Sequence, residues 1–448
     1  MFDTVLIANR GEIALRIART CREMGIRTVA VYSSDDAESA VVRFADEAIH
    51  IGPAEAKLSY LCMPAIIEAA KMTGAQAVHP GYGFLSEDPD FAEVCAGNAL
   101  TFIGPPPSVM QELADKSRTK TLMSRAGIPV LPGSEGSVDD FETAGQLATE
   151  IGYPVLVKAV AGGGGRGIAL ASDEAEFRSV YRETRVNAQK LFGDSRVYVE
   201  RFMHPVKHIE VQVLCDSHGN GVHLGERDCS LQRRRQKLVE EAPAAGLPDG
   251  VAARMGELAV RGALSVGYQG AGTFEFVVDQ HGDFHLIEVN CRLQVEHPVT
   301  EMVTGVDLVA EQIKVAAGLP LAIRQEDISI NGVAIECRIN AENPALNFAP
   351  TAGTVDVFEP PGGPFVRVDT HGYTGVKVSA AYDSLLAKLI VWGSDRDQAI
   401  ARIRRAIDEF VIAGHGMSTT SAFLSDIVDH PVFRKATHTT TSIEHMQT

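Results

Sequence analysis

Two strand-like segments past the middle of the chain carry its densest set of reactive groups, Gly272-Thr-Phe-Glu275-Phe-Val-Val and Phe284-His-Leu-Ile-Glu288-Val-Asn290. With Gln280 to Asp283 as a four-residue hairpin loop, residue 279 faces 284 and Glu275 falls directly across from Glu288. Opposed side chains in such a ladder stand roughly 4.5–5.5 Å apart, so two carboxylates there repel each other. A hard divalent cation offsets that repulsion, and Asn290, on the same face two residues later, offers a third oxygen. Carboxylates plus an amide, without thiolate or imidazole, suit Mg²⁺ or Mn²⁺ with nucleotide phosphates completing the shell. The bland alternative is an exposed hairpin whose carboxyl groups are protonated or splayed into solvent.

Glu288, Asn290, Arg292, Gln294 and Glu296 continue at period two. If the segment stays extended at about 3.3 Å per residue, the row spans roughly 26 Å, long enough to separate a metal–phosphate end from a substrate end. Arg292 and Gln294 can bind a small planar anion, and Glu296 can act on it as a general base. A merely solvated strand face is the competing reading. A second phosphate signal is Tyr153-Pro-Val-Leu-Val-Lys158-Ala-Val-Ala-Gly162-Gly-Gly-Gly165-Arg-Gly167, a strand ending in lysine, four glycines and a second strand. Glycines let backbone N–H groups close over phosphate oxygens, and the lysine adds positive charge. No Gly-Lys-Ser/Thr follows, so this is not a Walker A loop; a hairpin without ligand remains the alternative. Gln232-Arg-Arg-Arg235-Gln-Lys237 lacks interleaved aromatics and runs at once into two glutamates, which favours an anion-binding loop over a nucleic-acid patch. His79-Pro-Gly-Tyr82-Gly-Phe84 follows a strand, and Arg338 sits on an alternating one; packing and solvent exposure explain these as well as ligand binding does.

These residues need a scaffold, and 448 residues suffice for about three domains. Asp3 to Ala8, a helix from Ile13 to Met24, and Thr28 to Tyr32 make a βαβ start. Strands at Gln76 to His79 and Thr101 to Ile103 extend it to an open, mostly parallel sheet over about the first 105 residues. The Gly-x-Gly-x-x-Gly fingerprint is absent after the first strand, which argues against a nicotinamide site. A helix is expected from Ser108 to Ala126. A strand-rich unit follows residue 330 and closes with a helix near Arg396 to Phe410, and the polar stretch ATHTTTSIEHMQT is expected to be loose.

The net charge of −17 disfavours nucleic acid and anionic membranes, and 45% hydrophobic with 22% charged residues excludes disorder as the main state. No apolar run is long enough to span a bilayer. Seven scattered cysteines without a Cys-x-x-Cys pair, and no leader-like start, point to free thiols in the cytoplasm.

Taken together, the segments IANRGEIALRI, HPGYGFLSE, KAVAGGGGRG, ERDCSLQRR, EEAPA, GAGTFEF, IEVN-R-QVEHPVTE and ECRINAE, in this order up to about residue 435, resemble biotin carboxylase, an ATP-grasp ligase. The resemblance implies an α/β and α+β fold. It would comprise an open parallel-sheet N-domain (1–114), an ATP-grasp domain (115–330) with a glycine-rich lid near 131–203, and a strand-rich C-terminal domain (331–446). It implies that Lys116 and Lys158 neutralise ATP phosphates and that Gly164 and Gly165 cover them. Glu200, Arg201, Phe202 and Met203 would pass the adenine, with His208, Gln232 and Arg235 also on the nucleotide. Glu275, Glu288 and Asn290 would hold Mg²⁺ or Mn²⁺, and the two glutamates would count among the ATP contacts. Lys237, Arg292, Gln294 and Val295 would bind bicarbonate, Glu296 would deprotonate it, and Arg338, with Tyr82 nearby, would stabilise the biotin enolate.

The implied activity is ATP- and bicarbonate-dependent carboxylation of biotin through carboxyphosphate, the first half-reaction of an acetyl- or acyl-CoA carboxylase type enzyme. No Ala-Met-Lys-Met attachment sequence occurs, so a separate biotin carboxyl carrier protein and carboxyltransferase subunits are expected as partners, with a homodimer as the family habit. Three positions depart from the family pattern: Arg235 where histidine is frequent, Ala161 where glycine is usual, and Cys291 where threonine is common. An ATP-grasp ligase with another acceptor, or a nucleotide-binding scaffold without turnover, are the competing readings.

Overall fold

The computed structural model describes residues 1–134, 136–162 and 167–446. Strands β1 (Thr4–Ile7), β2 (Arg27–Ser33), β3 (Glu47–Gly52), β4 (Ala77–His79) and β5 (Thr101–Phe102) form one sheet in the order β3-β2-β1-β4-β5. Every pairing in it is parallel, as the alternating pattern predicts. β1 is buried along its whole length, which suits a central strand covered on both faces. β3 escapes sequence detection because it is a half-exposed edge carrying Glu47 and His50. Helix α1 (Gly11–Glu23) follows β1 directly. Between them the Asn9 side chain donates to the Pro80 and Tyr82 carbonyls at 2.6 and 2.7 Å, so the turns after β1 and β4 form one rim. Gly81 in that rim has φ +63, and a Cβ there would meet Asn9 at 3.0 Å.

The helix expected over 108–126 is in fact two, Pro107–Ala114 and Lys116–Arg125. Asp115 breaks it because its side chain leaves the helical path to accept from the Ser117 and Arg118 amides, an N-cap that opens the second helix at Lys116. Next come β6 (Val155–Ala159), β7 (Ile168–Ala171) and β8 (Val197–Arg201), a three-stranded antiparallel sheet in the order β7-β6-β8.

The largest sheet has eight strands. It contains β9 (Lys207–Cys215), β10 (Gly221–Arg233), β11 (Gln236–Ala242), β12 (Gly270–Val278), β13 (Phe284–Asn290) and β14 (Val333–Asn340), then the strands Leu385–Gly393 and Val366–Thr370. Their order is β13-β12-β9-β10-β11-β14, then Leu385–Gly393, then Val366–Thr370, all antiparallel. The sheet runs unbroken past residue 330, because β14 pairs with β11.

Glu275 does lie opposite Glu288, but by another route than a four-residue loop. The turn is one residue longer, closed by the Asp279 amide on the Asp283 carbonyl at 3.0 Å, which offsets the first three pairs by one. An extra residue at Ile287 then restores the register before Glu288. The extended row from Glu288 to Glu296 is not observed: β13 ends at Asn290, residues 291–296 turn back, and a helix starts at His297. Up to Met446, the C-terminal stretch is likewise docked rather than loose. His438 bonds Asp228 at 3.1 Å, the Thr440 amide bonds the Val206 carbonyl, and Ile443 is fully buried.

Behind the site-bearing face of β12 and β9, Phe274 and Phe276 sink into a core shared with Met123, Ile128, Met255 and Ala259. Replacing Phe274 by alanine leaves a cavity in this layer. We expect a loss of about 3–5 kcal/mol in urea-unfolding free energy; a loss below 1 kcal/mol contradicts this packing.

Candidate active site

A cavity of about 1350 Å³ opens between the rim of the parallel sheet, the three-stranded sheet and the face of the eight-stranded sheet. It gathers Tyr82, Lys116, Lys158, Arg201, Phe202, Met203, His208, Gln232, Arg235 and Lys237, together with Glu275, Glu288, Asn290, Arg292, Gln294, Val295, Glu296 and Arg338. Glu200 lies behind the wall, buried and ion-paired to Lys158 and, at 2.7 Å, to Lys120. Burial pushes its carboxyl up, but Lys158 and Lys120 bring it below the ordinary value. Gly164 and Gly165 lie outside the described residues.

The floor is a row of charges set by strand register. Glu288, Glu275 and Glu210 face one another across β13, β12 and β9, and Arg227 of β10 stands opposite Glu210. Arg227 is fully buried and donates to Glu210 at 2.6 Å, Gln212 at 2.8 Å and Thr300 at 2.9 Å. Lys237 reaches Glu210 at 2.6 Å, Glu275 at 3.2 Å and Glu296 at 2.5 Å. It can do so because Leu238 is an extra residue in β11 opposite β10, which turns Lys237 and Glu240 to the same face. Burial would lower the Lys237 ammonium, but the three carboxylates raise it well above its ordinary value.

The chain reversal after Asn290 compresses the expected row into a cluster. Gln294 donates to Glu275 at 3.0 Å, and Asn290 to the same oxygen at 2.8 Å. Arg292 is held by Glu87 at 2.8 Å. Glu296 sits between Lys237 and Arg338, the latter at 2.8 Å. Burial favours its protonation, yet Lys237, Arg338 and Arg227 hold the carboxyl well below the usual range. Glu275 behaves alike, ionised by Lys237 and by His208 at 2.8 Å despite burial. Arg338 also donates to Glu240 at 2.6 Å. Glu240 and Glu336 face each other across β11 and β14, and here burial wins: Glu240 is pushed up to about 7 and Glu336 well above the ordinary value.

The donor set decides where a hard cation fits. His208, Glu210 and Glu275 lie close together, but Arg227 and Lys237 already neutralise that corner. Glu275, Glu288 and Asn290 line the cavity where Lys116 meets Glu288 at 3.0 Å, with the Asn290 amide nitrogen on Glu275 and its Oδ1 accepting from Arg292 at 3.3 Å. This set matches the preference of Mg²⁺ or Mn²⁺ for carboxylate and amide oxygens.

The sequence matches three family models: the biotin carboxylase N-terminal domain over residues 1–110, the carbamoyl-phosphate synthase L chain ATP binding domain over 115–324, and the biotin carboxylase C-terminal domain over 336–445. It is 50% identical over 434 residues to biotin carboxylase 1 of Bacillus subtilis, covering 97% of this chain and 96% of that one. The biotin carboxylase of a Nostoc species is also 50% identical, over 446 residues and 99% of both chains. Among solved structures, the biotin carboxylase domain dimer of Hydrogenobacter thermophilus 2-oxoglutarate carboxylase, in complex with MgADP, ADP and bicarbonate, superposes with a TM-score of 0.96. It is 47% identical and covers 100% of this chain and 98% of that one. The chain belongs to the biotin carboxylase family.

This biotin carboxylase chain also carries site residues that the sequence reading passed over. Glu87, the last residue of the HPGYGFLSE motif, holds Arg292. Glu210 is legible in His208-Ile-Glu210-Val-Gln212, polar at period two inside an apolar strand. Arg227, Lys120 and Glu240 leave no such signature, because their meaning lies in partners 17 to 98 residues away. Arg235 and Arg234 form the two-residue turn between β10 and β11, with φ +67 and +49. Asn and Gly usually fill such left-handed positions, so this hairpin tip holds two arginines at some strain beside the cavity.

The raised Glu240 carboxyl carries a sign. Its folded value, about 7, exceeds the unfolded one, so stability linked to its proton is complete in acid and lost as pH rises through about 7. Glu240→Gln keeps the acceptor for Arg338 and removes that loss. Its urea midpoint should exceed wild type more at pH 8 than at pH 5, and an equal offset at both pH values contradicts the assignment.

Proposed function

We propose that this chain carboxylates biotin presented by a separate carrier protein, using ATP and bicarbonate, as the first half-reaction of a multi-subunit biotin-dependent carboxylase. The observation that carries the reading is the Glu296 carboxylate held ionised between Lys237 and Arg338, at the point where the nucleotide end and the acceptor end of one cavity meet.

Lys116 and Lys158 offset the charge of the ATP phosphates. A divalent ion held by Glu275, Glu288 and Asn290 would supply further neutralisation of phosphate oxygens. Arg201, Phe202 and Met203, with His208, Gln232 and Arg235, take the nucleoside side, and Glu200 keeps Lys158 in place. Bicarbonate sits against Lys237, Arg292, Gln294 and the Val295 amide. Glu87 fixes Arg292, leaving its guanidinium oriented for a planar anion. Glu296 removes the bicarbonate proton as a bicarbonate oxygen attacks the γ-phosphorus and ADP leaves. The carboxyphosphate formed breaks its C–O bond to CO₂ and phosphate, phosphate takes the ureido proton, and the nitrogen adds to CO₂. Arg338 stabilises the biotin enolate beside Tyr82.

Three domains with boundaries near 114 and 330 fit the span of the matched family models. Carrier and carboxyltransferase subunits are the expected partners, and a homodimer is supported by the dimeric Hydrogenobacter relative. Among the described residues no helix is long and apolar enough to cross a membrane. The bacterial relatives support a cytoplasmic location.

With Mg²⁺ and free biotin, ATP hydrolysis should depend on bicarbonate and stop when EDTA removes the metal. Glu296→Gln should lower kcat by 10²-fold or more with the fold intact. ATP binding with a flat response to bicarbonate would overturn the carboxylase reading in favour of a scaffold.

A further inference from the structure

Two fully buried side chains with no part in the steps above stand behind the loop that presents Gln294, Val295 and Glu296. His297 Nδ1 lies 2.7 Å from the Gln294 carbonyl oxygen. A carbonyl only accepts, so Nδ1 carries the proton. Lys388 donates to the next carbonyl, that of Val295, at 2.9 Å, and pairs with Glu12 at 2.9 Å. Two successive peptide groups are thus tied from the rear. In a trans peptide the N–H points away from its own carbonyl. Tying the Gln294 carbonyl to His297 therefore turns the Val295 N–H to the opposite side, and Val295 lines the cavity.

Glu12 has a second partner, the Tyr82 hydroxyl, and both residues line the cavity. Lys388 also stands in register with Arg338 on the neighbouring strand. An apolar residue would fill this position without desolvating a charge. A buried ammonium is tolerated here because Glu12 compensates it, and what it adds is a directed hydrogen bond to one backbone carbonyl.

We propose that Lys388 is a positioning residue for bicarbonate activation: it fixes the Val295 carbonyl and with it the peptide that leads into Glu296 and its carboxylate, next to the Val295 N–H that His297 orients, and through Glu12 it ties that loop to Tyr82 on the biotin side. This rests on the carboxylase reading above. Wild-type enzyme without bicarbonate-dependent ATP hydrolysis would strike that reading itself, whereas the variants test the link alone.

Lys388→Met should raise KM for bicarbonate at least tenfold, leave KM for ATP within twofold, and reduce the stimulation by free biotin. Lys388→Met combined with Glu12→Gln removes ammonium and ion-pair partner together, while Asp369 opposite keeps Arg367 and Glu336 is already shifted toward the neutral form, so it folds even where the single variant does not. The same split between the two KM values is expected of it. A bicarbonate KM within twofold of wild type in the double variant overturns the proposal, and so does an equal rise in both KM values, the mark of general loosening.

Discussion

Three glutamates, Glu288, Glu275 and Glu210, stand side by side on adjacent strands, the last two buried and Glu288 at the partly exposed end of the row, and mutual repulsion governs the arrangement around them. Neighbouring carboxylates at cross-strand spacing cannot all stay ionised without compensation, and burial denies Glu210 and Glu275 the screening of water. Compensation comes from three directions. Arg227 arrives from the next strand, Lys237 from a bulge in the strand after, and Lys116 from the first turn of a helix that Asp115 starts at that point. Each cation is placed by a local feature (register, bulge or cap).

The same sheet holds two populations of buried carboxyl groups with opposite behaviour. Glu275 and Glu296 have cations enough to stay charged, whereas burial shifts Glu240 and Glu336 toward the neutral form, against Arg338 at Glu240 and the more distant charge of Lys388 at Glu336. Separation of this kind lets one site hold a base and a neutral neighbour side by side at neutral pH. It also bears on Arg338. With Glu240 partly protonated, the guanidinium is less than fully matched by its two carboxylates and keeps positive character toward the cavity.

Much of this was legible before any coordinates. The parallel sheet follows from apolar runs alternating with helical periodicity, and β1, β2, β4 and β5 lie where those runs predict. Glu275 opposite Glu288 was legible as well, though an extra turn residue and the bulge at Ile287 had to cancel for the simple count to hold. The failures share one cause. Glu288 to Glu296 reads as an extended strand because period two is all that local pattern offers, while the reversal after Asn290 is imposed by tertiary contacts from Glu87 and Glu275. ATHTTTSIEHMQT reads as loose by composition, yet Asp228 and the Val206 carbonyl, more than 200 residues upstream, hold it in place. Arg227 and Lys388 look like ordinary strand charges until the sheet is assembled.

That reversal shortens the distance over which the chemistry must act. An extended row would have put the phosphate end and the acid–base end roughly 26 Å apart, too far for one group to serve both. Folded back, Glu275 and Glu296 each lie within 3.2 Å of the Lys237 nitrogen. A single cation then faces both Glu275, a proposed metal ligand, and Glu296, the proposed base. Any anion that draws Lys237 toward itself loosens its hold on Glu296, and a carboxylate relieved of a cation becomes a stronger base. On the proposed reading, entry of bicarbonate raises the basicity of Glu296, the proposed base, through shared charge alone.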